Sequence, residues 1–426
     1  MLKYNMKDNK YKKPVLISIL FIIIILLAFG LVFLKNNTSF LNFNISEEEI
    51  SQNNLNPTSS VTEETDLVNL VSKELQVDEI YQNGTFSEPR TLYLPEGYEI
   101  SVYAGGMRAP RFFDFDDDGN IYVADKSAGE VLLLKDEDND KVAETKITVL
   151  SDLRSVHSVD FYNGDLYVAE EHQIIRLRGI KPDATFDEFV ILVNNLPADG
   201  GHTTRTVLVG PDEKIYISVG SSCNLCEEDD ERRAAIVRYN LDGTGEELYA
   251  EGLRNSVGLE FNNFDLWSVD NGRDRIGDDL PPEEVNIVEQ GKNYGWPFCY
   301  GMGIPNPEYS DKSDYCKTNT AFPIYEMQAH SAPLGLTFAP ISNELEGNLF
   351  IAFHGSWNRT VPTGYKVVRI DTTDDSGETI NFITGWLDED GDIWGRPVGV
   401  KFNKEGEMYV SDDEAGAIYV VKKVRD

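Results

Sequence analysis

The chain contains one histidine whose surroundings suit acid–base chemistry. His202 follows two glycines in GGHTTRT (200–206), which leave room for a bulky ligand beside it. An imidazole titrates near neutral pH, so His202 is the candidate general base. Arg254, followed by Asn255, is expected nearby, and arginines there can hold the carboxylates of an anionic ligand or stabilise a developing oxyanion. We expect structural roles for the other four histidines, which are His157, His172, His330 and His354.

The elements that would position these residues form a repeat. Six short strands follow the pattern aromatic–Val–small–acid, in most cases with small variations: IYVAD (121–125), LYVAE (166–170), IYISV (215–219), LWSVD (266–270), LFIAF (349–353) and MYVSD (408–412). An apolar strand precedes each across a turn, and a further strand follows most of them. Several strands per unit, at a spacing of about 50 residues, indicate a β-propeller. We predict an all-β fold with six blades, closed by a strand from LPEGYEISVYAGG (94–106).

Aligning the six units places charged residues at one mouth of the central channel. The first strand of each unit lines the channel. The position seven residues before the end of that strand holds Arg108, Arg154, His202, Arg254, Ser331 and Gly395. The next position holds Ala109, Ser155, Thr203, Asn255, Ala332 and Arg396. The net charge of the chain is −35, so cationic residues on the axis need a reason, and an anionic ligand is the simplest one.

The composition and the N-terminus restrict partners and location. Lys and Arg total 38 against 73 Asp and Glu, which argues against general binding of nucleic acid. The segment 15–34 carries no charge and follows several lysines, as a membrane-spanning helix with a cytoplasmic N-terminus does. We therefore predict a cytoplasmic basic tail (1–13), a transmembrane anchor (14–34), a flexible stalk (35–90) and an extracytoplasmic propeller (91–426). A cleaved signal peptide is the competing interpretation.

Four cysteines and several acidic turns allow more than one reading. The cysteines form two close pairs, Cys223 with Cys226 and Cys299 with Cys316. Outside the cytoplasm we expect two disulfides, the second stapling an insertion at about 278–327, although C-x-x-C can also be redox-active or bind a metal. The turn KDEDNDK (135–141) alternates acids as a calcium loop does, but lysine replaces the turn glycine, so a solvated hairpin turn explains it equally well.

Seven segments together resemble a known enzyme family. They are GGHTTRT (200–206), GLRNSVGLEF (252–261), DNGRDRIGDDLPPEEVN (270–286), GKNYGWPFC (291–299), HSAPLGLTF (330–338), FHGSWNRT (353–360) and GRPVGV (395–400). In this order they look like the pyrroloquinoline quinone (PQQ)-dependent aldose sugar dehydrogenases and L-sorbosone dehydrogenases. The resemblance implies a six-bladed propeller that uses PQQ and Ca2+ to oxidise a sugar, an aldehyde or a related alcohol. It also implies a separate electron acceptor, such as a quinone or a cytochrome.

The resemblance further implies roles for the residues around the base. His202 matches the family's general base, which takes the proton of the substrate hydroxyl while hydride passes to the quinone. Arg254 and Asn255 match the pair beside the quinone carbonyls. Glucose-oxidising members carry an acid that orients the base, and this chain has Ser221 there, so the group that controls the His202 tautomer is left open.

The remaining implied roles concern the cofactor carboxylates and the metal. Arg396 in GRPVGV and Arg359 in SWNRT match the basic residues that hold the quinone carboxylates. A calcium ion in the family is bound partly by backbone carbonyls, which match Gly272 and Arg273 of this chain. Such an ion acts as a Lewis acid.

Two other function classes use six-bladed propellers. A calcium-dependent lactonase would need carboxylates that converge on the axis, whereas this ring is built from arginine and histidine. A non-catalytic ligand-binding propeller would have little use for His202, Arg254, Asn255 and Arg396 in one ring. The sequence therefore favours a PQQ-dependent dehydrogenase acting on a small sugar or alcohol.

Overall fold

Three strands open the part of the chain that the structure describes. The structure is a computed structural model and describes residues 69–341, 344–374 and 376–424. The opening strands are β1 (Leu70–Glu74), β2 (Thr91–Pro95) and β3 (Tyr98–Ala104). Strands β1 and β2 form an antiparallel pair, with short 3-10 helices at Glu79–Tyr81 and Gly84–Phe86 between them.

The first three blades are antiparallel sheets whose four strands follow in chain order from the axis outward. Blade one consists of β4 (Pro110–Phe115), β5 (Ile121–Asp125), β6 (Glu130–Lys135) and β7 (Thr145–Leu150). Blade two consists of β8 (Ser158–Tyr162), β9 (Asp165–Glu170), β10 (Gln173–Arg178) and β11 (Glu188–Val193). Blade three consists of β12 (Arg205–Val209), β13 (Lys214–Val219), β14 (Ala235–Asn240) and β15 (Glu247–Glu251).

Blade five has the same simple strand order, whereas blade four contains an insertion and blade six takes its outer strand from the beginning of the domain. Blade four consists of β16 (Ser256–Asn262), β17 (Asp265–Asp270), β18 (Glu283–Val288) and β21 (Tyr325–Met327). A separate two-stranded ribbon, β19 (Cys299–Tyr300) and β20 (Ile304–Pro305), lies in the chain between β18 and β21. Blade five consists of β22 (Pro333–Phe338), β23 (Asn348–Phe353), β24 (Lys366–Asp371) and β25 (Ile380–Ile383). Blade six consists of β26 (Pro397–Phe402), β27 (Met408–Asp412) and β28 (Ala417–Lys423), and β3 completes it.

The six sheets form a closed ring, which confirms the predicted propeller. Strand β3 pairs antiparallel with β28, with Ile100 opposite Val421. The first strands contact one another all the way round, from β4 through β8, β12, β16, β22 and β26 back to β4. Each second strand lies inside its sheet between the first and third strands, and β5 is buried along its whole length. Because both of its faces are covered, such a strand carries a continuous apolar run.

The folded domain begins earlier than predicted. The stalk was expected to extend to residue 90, but β1 pairs with β2, and Leu75 and Phe86 pack in one core with Trp386. These two are the fully buried side chains of 69–90, so the polar composition of the segment conceals its structure. The predicted tail, the anchor and the rest of the stalk lie outside the described residues. Within the described ranges, no helix is long and apolar enough to cross a membrane.

The insertion in blade four is shorter than predicted. Strands β18 and β21 belong to the blade itself, so the extra chain is 289–324 rather than about 278–327. It contains the β19–β20 ribbon, a 3-10 helix (Pro307–Lys312) and helix α1 (Ser313–Thr318). The Cys299–Cys316 disulfide links the ribbon to α1, and Cys223–Cys226 closes a loop after β13, which confirms both predicted disulfides.

Candidate active site

The segments that carry the ring residues are fixed by acids at the ends of the second strands. In blade four, the carboxylate of Asp270 accepts hydrogen bonds from the backbone N–H groups of Arg254 (2.9 Å) and Asn255 (2.6 Å). The same contact with the ring segment of its own blade is made by Asp125, Glu170 and Asp412. The acid of the repeated pattern therefore positions Arg254, Asn255 and Arg396, whereas the blade that carries His202 has Val219 at this place.

His202 lies just before β12, and the chain after β13 orients its ring. Its Nδ1 lies 2.8 Å from the carbonyl oxygen of Ser221 and 2.9 Å from the Ser221 hydroxyl oxygen. A carbonyl oxygen can only accept, so Nδ1 carries the proton and Nε2 keeps its lone pair. No hydrogen bond from the described residues reaches Nε2. Burial, and then the charge of Arg254, lower the pKa of His202 to about 4, so the imidazole is neutral at physiological pH.

The guanidinium of Arg254 is buried among carbonyl oxygens. Its Nε donates to the backbone oxygen of Asn224 (3.1 Å), and one Nη donates to the Asn224 side-chain oxygen (3.0 Å). The other Nη donates to the carbonyls of Asn271 (3.0 Å) and Gly272 (2.9 Å). Asn224 belongs to the disulfide-closed loop 223–226. This loop and blade four therefore hold Arg254 from two sides.

A glycine allows His202 and Asn255 to approach each other. A Cβ on Gly220 would lie 2.4 Å from Oδ1 of Asn255 and 2.7 Å from Cβ of His202, so no side chain fits there. The N–H of Ser221 donates to the carbonyl of Arg254 (2.8 Å) and ties blade three to blade four. The structure thus brings His202, Arg254 and Asn255 into one group, as the ring alignment predicts.

The two arginines predicted to hold carboxylates have different surroundings. Arg396 donates to the carbonyls of His354 (3.1 Å) and Gly355 (2.7 Å), and its guanidinium lies 5.3 Å from the ring centre of Tyr365. Arg359 instead forms an ion pair with Asp279 (2.7 Å) in an outer loop of blade four. Arg396 therefore belongs to the ring, while the charge of Arg359 already has a carboxylate partner.

Other cationic ring positions do not join this group. The side chain of Arg108 is exposed to solvent. Arg154 is half-exposed and pairs with Glu171 (2.9 Å) and Asp199 (2.5 Å). The charge of the ring is therefore concentrated at Arg254 and Arg396.

Gly272 and Arg273, the predicted calcium ligands, lie on the loop after β17. The carbonyl of Gly272 accepts from Arg254, and its N–H donates to the Glu283 carboxylate (2.7 Å). The side chain of Arg273 turns toward the insertion and forms two hydrogen bonds with the Glu308 carboxylate (2.6 and 3.1 Å). The insertion thus stabilises this loop. Calcium binding by the two carbonyls stays a prediction.

A second ring lies deeper in the channel, and the initial alignment did not include it. Three residues beyond Arg108, Arg154, His202, Arg254, Ser331 and Gly395, the six units carry Arg111, His157, Arg205, Val257, Leu334 and Val398, respectively. Arg111 forms an ion pair with Asp413 (2.5 Å), which also accepts from His354 (2.8 Å). His157 accepts from Arg111 (3.3 Å), and burial holds its pKa well below the usual value. Extending the repeat alignment to this position would have found the ring.

A third ring, at the far end of the channel, contains three carboxylates and one lysine. Six residues beyond Arg108, Arg154, His202, Arg254, Ser331 and Gly395, the six first strands carry Asp114, Asp160, Leu208, Glu260, Thr337 and Lys401, respectively. Lys401 pairs with Asp114 (2.6 Å), and burial raises the pKa of both Asp160 and Glu260 to about 7. Carboxylates do converge on the axis here, but a lysine lies among them, so the ring does not favour a calcium-dependent lactonase.

The arrangement at the mouth suits an anionic cofactor. Arg254 and Arg396 both bind neutral carbonyl oxygens, and among the described residues neither has a carboxylate within salt-bridge distance. Both guanidinium groups are thus anchored at this mouth by neutral oxygens, although Asp270, Asp274 and Glu283 act on the charge of Arg254 from beyond salt-bridge distance. A quinone that carries carboxylates fits this set of donors, with a neutral histidine beside it.

Comparisons with known proteins cover the same part of the chain. A family model described as TrAA12-like matches residues 92–424. An uncharacterized protein of Borreliella burgdorferi is 30% identical over 356 residues, which is 78% of this chain and 90% of that protein. A pyrroloquinoline quinone-dependent sugar dehydrogenase of Hypocrea jecorina is 27% identical over 392 residues, with coverage of 78% and 89%. A calcium structure of the Trichoderma reesei carbohydrate-active enzyme family AA12 superimposes with a TM-score of 0.67 at 26% identity, covering 78% of this chain and 96% of that one.

Proposed function

The chain belongs to the TrAA12-like family, and on this basis we propose that it is a PQQ- and calcium-dependent dehydrogenase. Its substrate is an aldose sugar, a sorbosone-like aldehyde or a related alcohol outside the cytoplasm. The observation that carries the proposal is a neutral histidine with a free Nε2, placed near Arg254, whose guanidinium binds carbonyl oxygens and no carboxylate. The similarity to the Hypocrea jecorina enzyme supports the choice of cofactor and of a sugar as substrate.

His202 acts as the general base in this proposal. Its Nε2 takes the proton of a substrate hydroxyl group, and Ser221 keeps the proton of Nδ1 in place, so the correct nitrogen faces the substrate. Bound PQQ would supply the acceptor for the hydride that leaves the same substrate carbon. A low pKa makes His202 a weak base in the ground state, and Arg254 beside it favours the neutral imidazole.

The remaining residues of the mouth hold the cofactor. Arg254 and Asn255 bind its carbonyl edge, and Arg396 binds a carboxylate. Arg359 would have to exchange its partner Asp279 for a carboxylate of the cofactor, so its role is the weakest of the four. The carbonyls of Gly272 and Arg273 offer oxygen ligands to Ca2+, the type of ligand this ion prefers. The similarity to the calcium structure of the Trichoderma reesei AA12 enzyme supports the proposal that this chain uses Ca2+.

Electron transfer and location complete the proposal. Each turnover would need an external acceptor for two electrons, and we propose a quinone or a cytochrome in this role. The segment 14–34 anchors the protein in the membrane as a single helix, with the propeller on the extracytoplasmic side. This orientation places the reaction where extracellular sugars are available.

The test is cofactor-dependent dye reduction by the full-length protein. The protein is incubated with Ca2+ and PQQ and assayed with an artificial acceptor against aldoses, alcohols and aldehydes. Turnover that needs both additions, and that His202→Ala abolishes, supports the proposal. His172→Ala is the matched control, because His172 lies in the turn between β9 and β10 and should leave turnover unchanged. A protein that neither binds PQQ nor reduces the dye would overturn the proposal.

A further inference from the structure

The loop between β23 and β24 carries the most unusual surface side chain near the mouth. Trp357 is 69% exposed, whereas the other four tryptophans of the chain are at most 8% exposed: Trp267, Trp296, Trp386 and Trp394. An exposed indole presents a large flat apolar face together with a polar N–H group, so its position relative to the mouth decides whether it can bind a ligand there.

The loop lies on the same end of the propeller as His202. Strand β23 runs antiparallel to β22, so its end, Phe353, is paired with the start of β22, Pro333. The ring residues precede the first strands, and the loop after β23 therefore emerges beside them. The carbonyls of His354 and Gly355, at the start of the loop, bind the guanidinium of Arg396.

The base of the loop is narrow and closed. The N–H of Ser356 donates to the carbonyl of Thr363 (2.9 Å), and the N–H of Thr363 donates to the Ser356 hydroxyl (3.0 Å). A Cβ on Gly364 would lie 2.6 Å from Cα of Gly355, so the two sides of the base touch. The Tyr365 hydroxyl donates to the carbonyl of Ser356. The residues between, including Trp357, form a defined loop.

The far side of the loop is held by blade four. Asn358 donates to the carboxylate of Asp274 (2.9 Å), and Arg359 pairs with Asp279 (2.7 Å). The backbone N–H of Asp274 donates to Asn224, the residue that holds Arg254. Trp357 is therefore fixed between a neighbour of Arg396 and a neighbour of Arg254, with its indole open to solvent.

We propose that Trp357 is a sugar-binding residue that stacks against one face of an aldopyranose ring at the mouth. This inference rests on the proposed sugar oxidation. The face of a pyranose ring presents several C–H groups around an apolar patch, while its hydroxyl groups point outward. A rigid indole matches that face, loses little conformational entropy on contact and leaves the hydroxyl groups free to bind polar residues such as His202. Small alcohols and aldehydes lack such a face and gain nothing from the indole.

Fluorescence reports on this site directly, because the other tryptophans are buried. Acrylamide should quench the emission of Trp357 selectively in the full-length protein. An aldopyranose should protect it from quenching and shift its emission to shorter wavelength, in the cofactor-free form or in the form loaded with PQQ and Ca2+, whereas ethanol should do neither. Trp357→Leu should remove the quenchable emission, and Phe264→Leu is the matched control. Phe264 is 82% exposed in the turn between β16 and β17, at the opposite end of blade four.

Kinetics separate sugar stacking from the other roles of the mouth. Trp357→Leu should raise KM for aldopyranoses by about tenfold or more, which is the loss expected when roughly 60 Å2 of apolar contact is removed. Its kcat should stay within about twofold, and a small aldehyde should be oxidised as by the wild type. Trp357→Phe should restore part of the affinity.

Three results would decide against the inference or against its premise. If aldoses are oxidised but protect Trp357 in neither form, the stacking role is wrong while the proposed function stands. If Trp357→Leu weakens PQQ binding, measured by absorbance titration, the indole contacts the cofactor and the inference is also wrong. If an aldose protects Trp357 but PQQ does not bind, the sugar site stands and the dehydrogenase proposal fails.

Discussion

The acid side of the pH profile gives a quantitative test of the proposed base. His202 must be neutral to accept a proton, and burial together with Arg254 lowers its pKa to about 4. At pH 5.5 a histidine of this pKa is about 97% neutral, whereas one with the ordinary pKa of about 6.5 is about 9% neutral. The sign is therefore clear: lowering the pKa preserves the base form on acidification. The structure predicts roughly tenfold more activity at pH 5.5 than an unperturbed histidine allows.

The assay is kcat/KM for an aldose between pH 4 and pH 8, because this ratio follows the ionisation of the free enzyme. The acceptor should be a dye whose own reduction does not change across this range. An acid limb near pH 4 is expected. The Arg254→Gln variant, although slow, should move the limb to higher pH, since it removes the largest nearby positive charge. A wild-type limb at pH 6 to 6.5 would refute the reasoning, because the environment of His202 would then not suppress its protonation.

Three further predictions concern the metal, the spacing of the site and the far ring. Chelation with EGTA should abolish dye reduction and added Ca2+ should restore it; full activity in EGTA would rule out the calcium role. Gly220→Ala should lower kcat/KM by roughly 100-fold, because the new Cβ separates His202 from Asn255, while circular dichroism stays unchanged. Lys401→Met leaves buried carboxylates without their cation and should lower the free energy of unfolding by about 3–5 kcal/mol in a urea titration. Adding Asp114→Asn should recover part of that loss, and a wild-type stability of the single variant would contradict the pairing.

The architecture could be predicted because the six repeat units can be aligned with one another residue by residue. Matching the ends of the first strands placed His202, Arg254 and Asn255 at one level of the channel, and the structure has them together around Gly220. The same register contained the ring of Arg111 and the ring of Lys401. Both rings could have been predicted from the sequence, because their positions recur at the same place in every repeat unit.

Contacts made by irregular loops could not be predicted in this way. Asn224 holds Arg254 from a disulfide-closed loop outside the repeated strands, and Ser221 orients His202 through its backbone carbonyl, which any residue type would supply. Arg359 was matched by its neighbours in sequence, but its orientation depends on Asp279, in a different blade. The ordered segment 69–90 was missed because its few buried side chains are spread among polar ones.

The pairing of β3 with β28 has a consequence for the order in which the chain can fold. Ala104, near the beginning of the domain, is paired with Ile418, near its end, so β3 has no partner in blade six until the chain has been made as far as β28. Until then, the edge of β3 is open to pairing with other chains. A contact between such distant residues also forms slowly. Loss of the last ten or so residues would thus leave both β3 and β27 as unprotected edges, and Arg396 would stand on an incomplete blade.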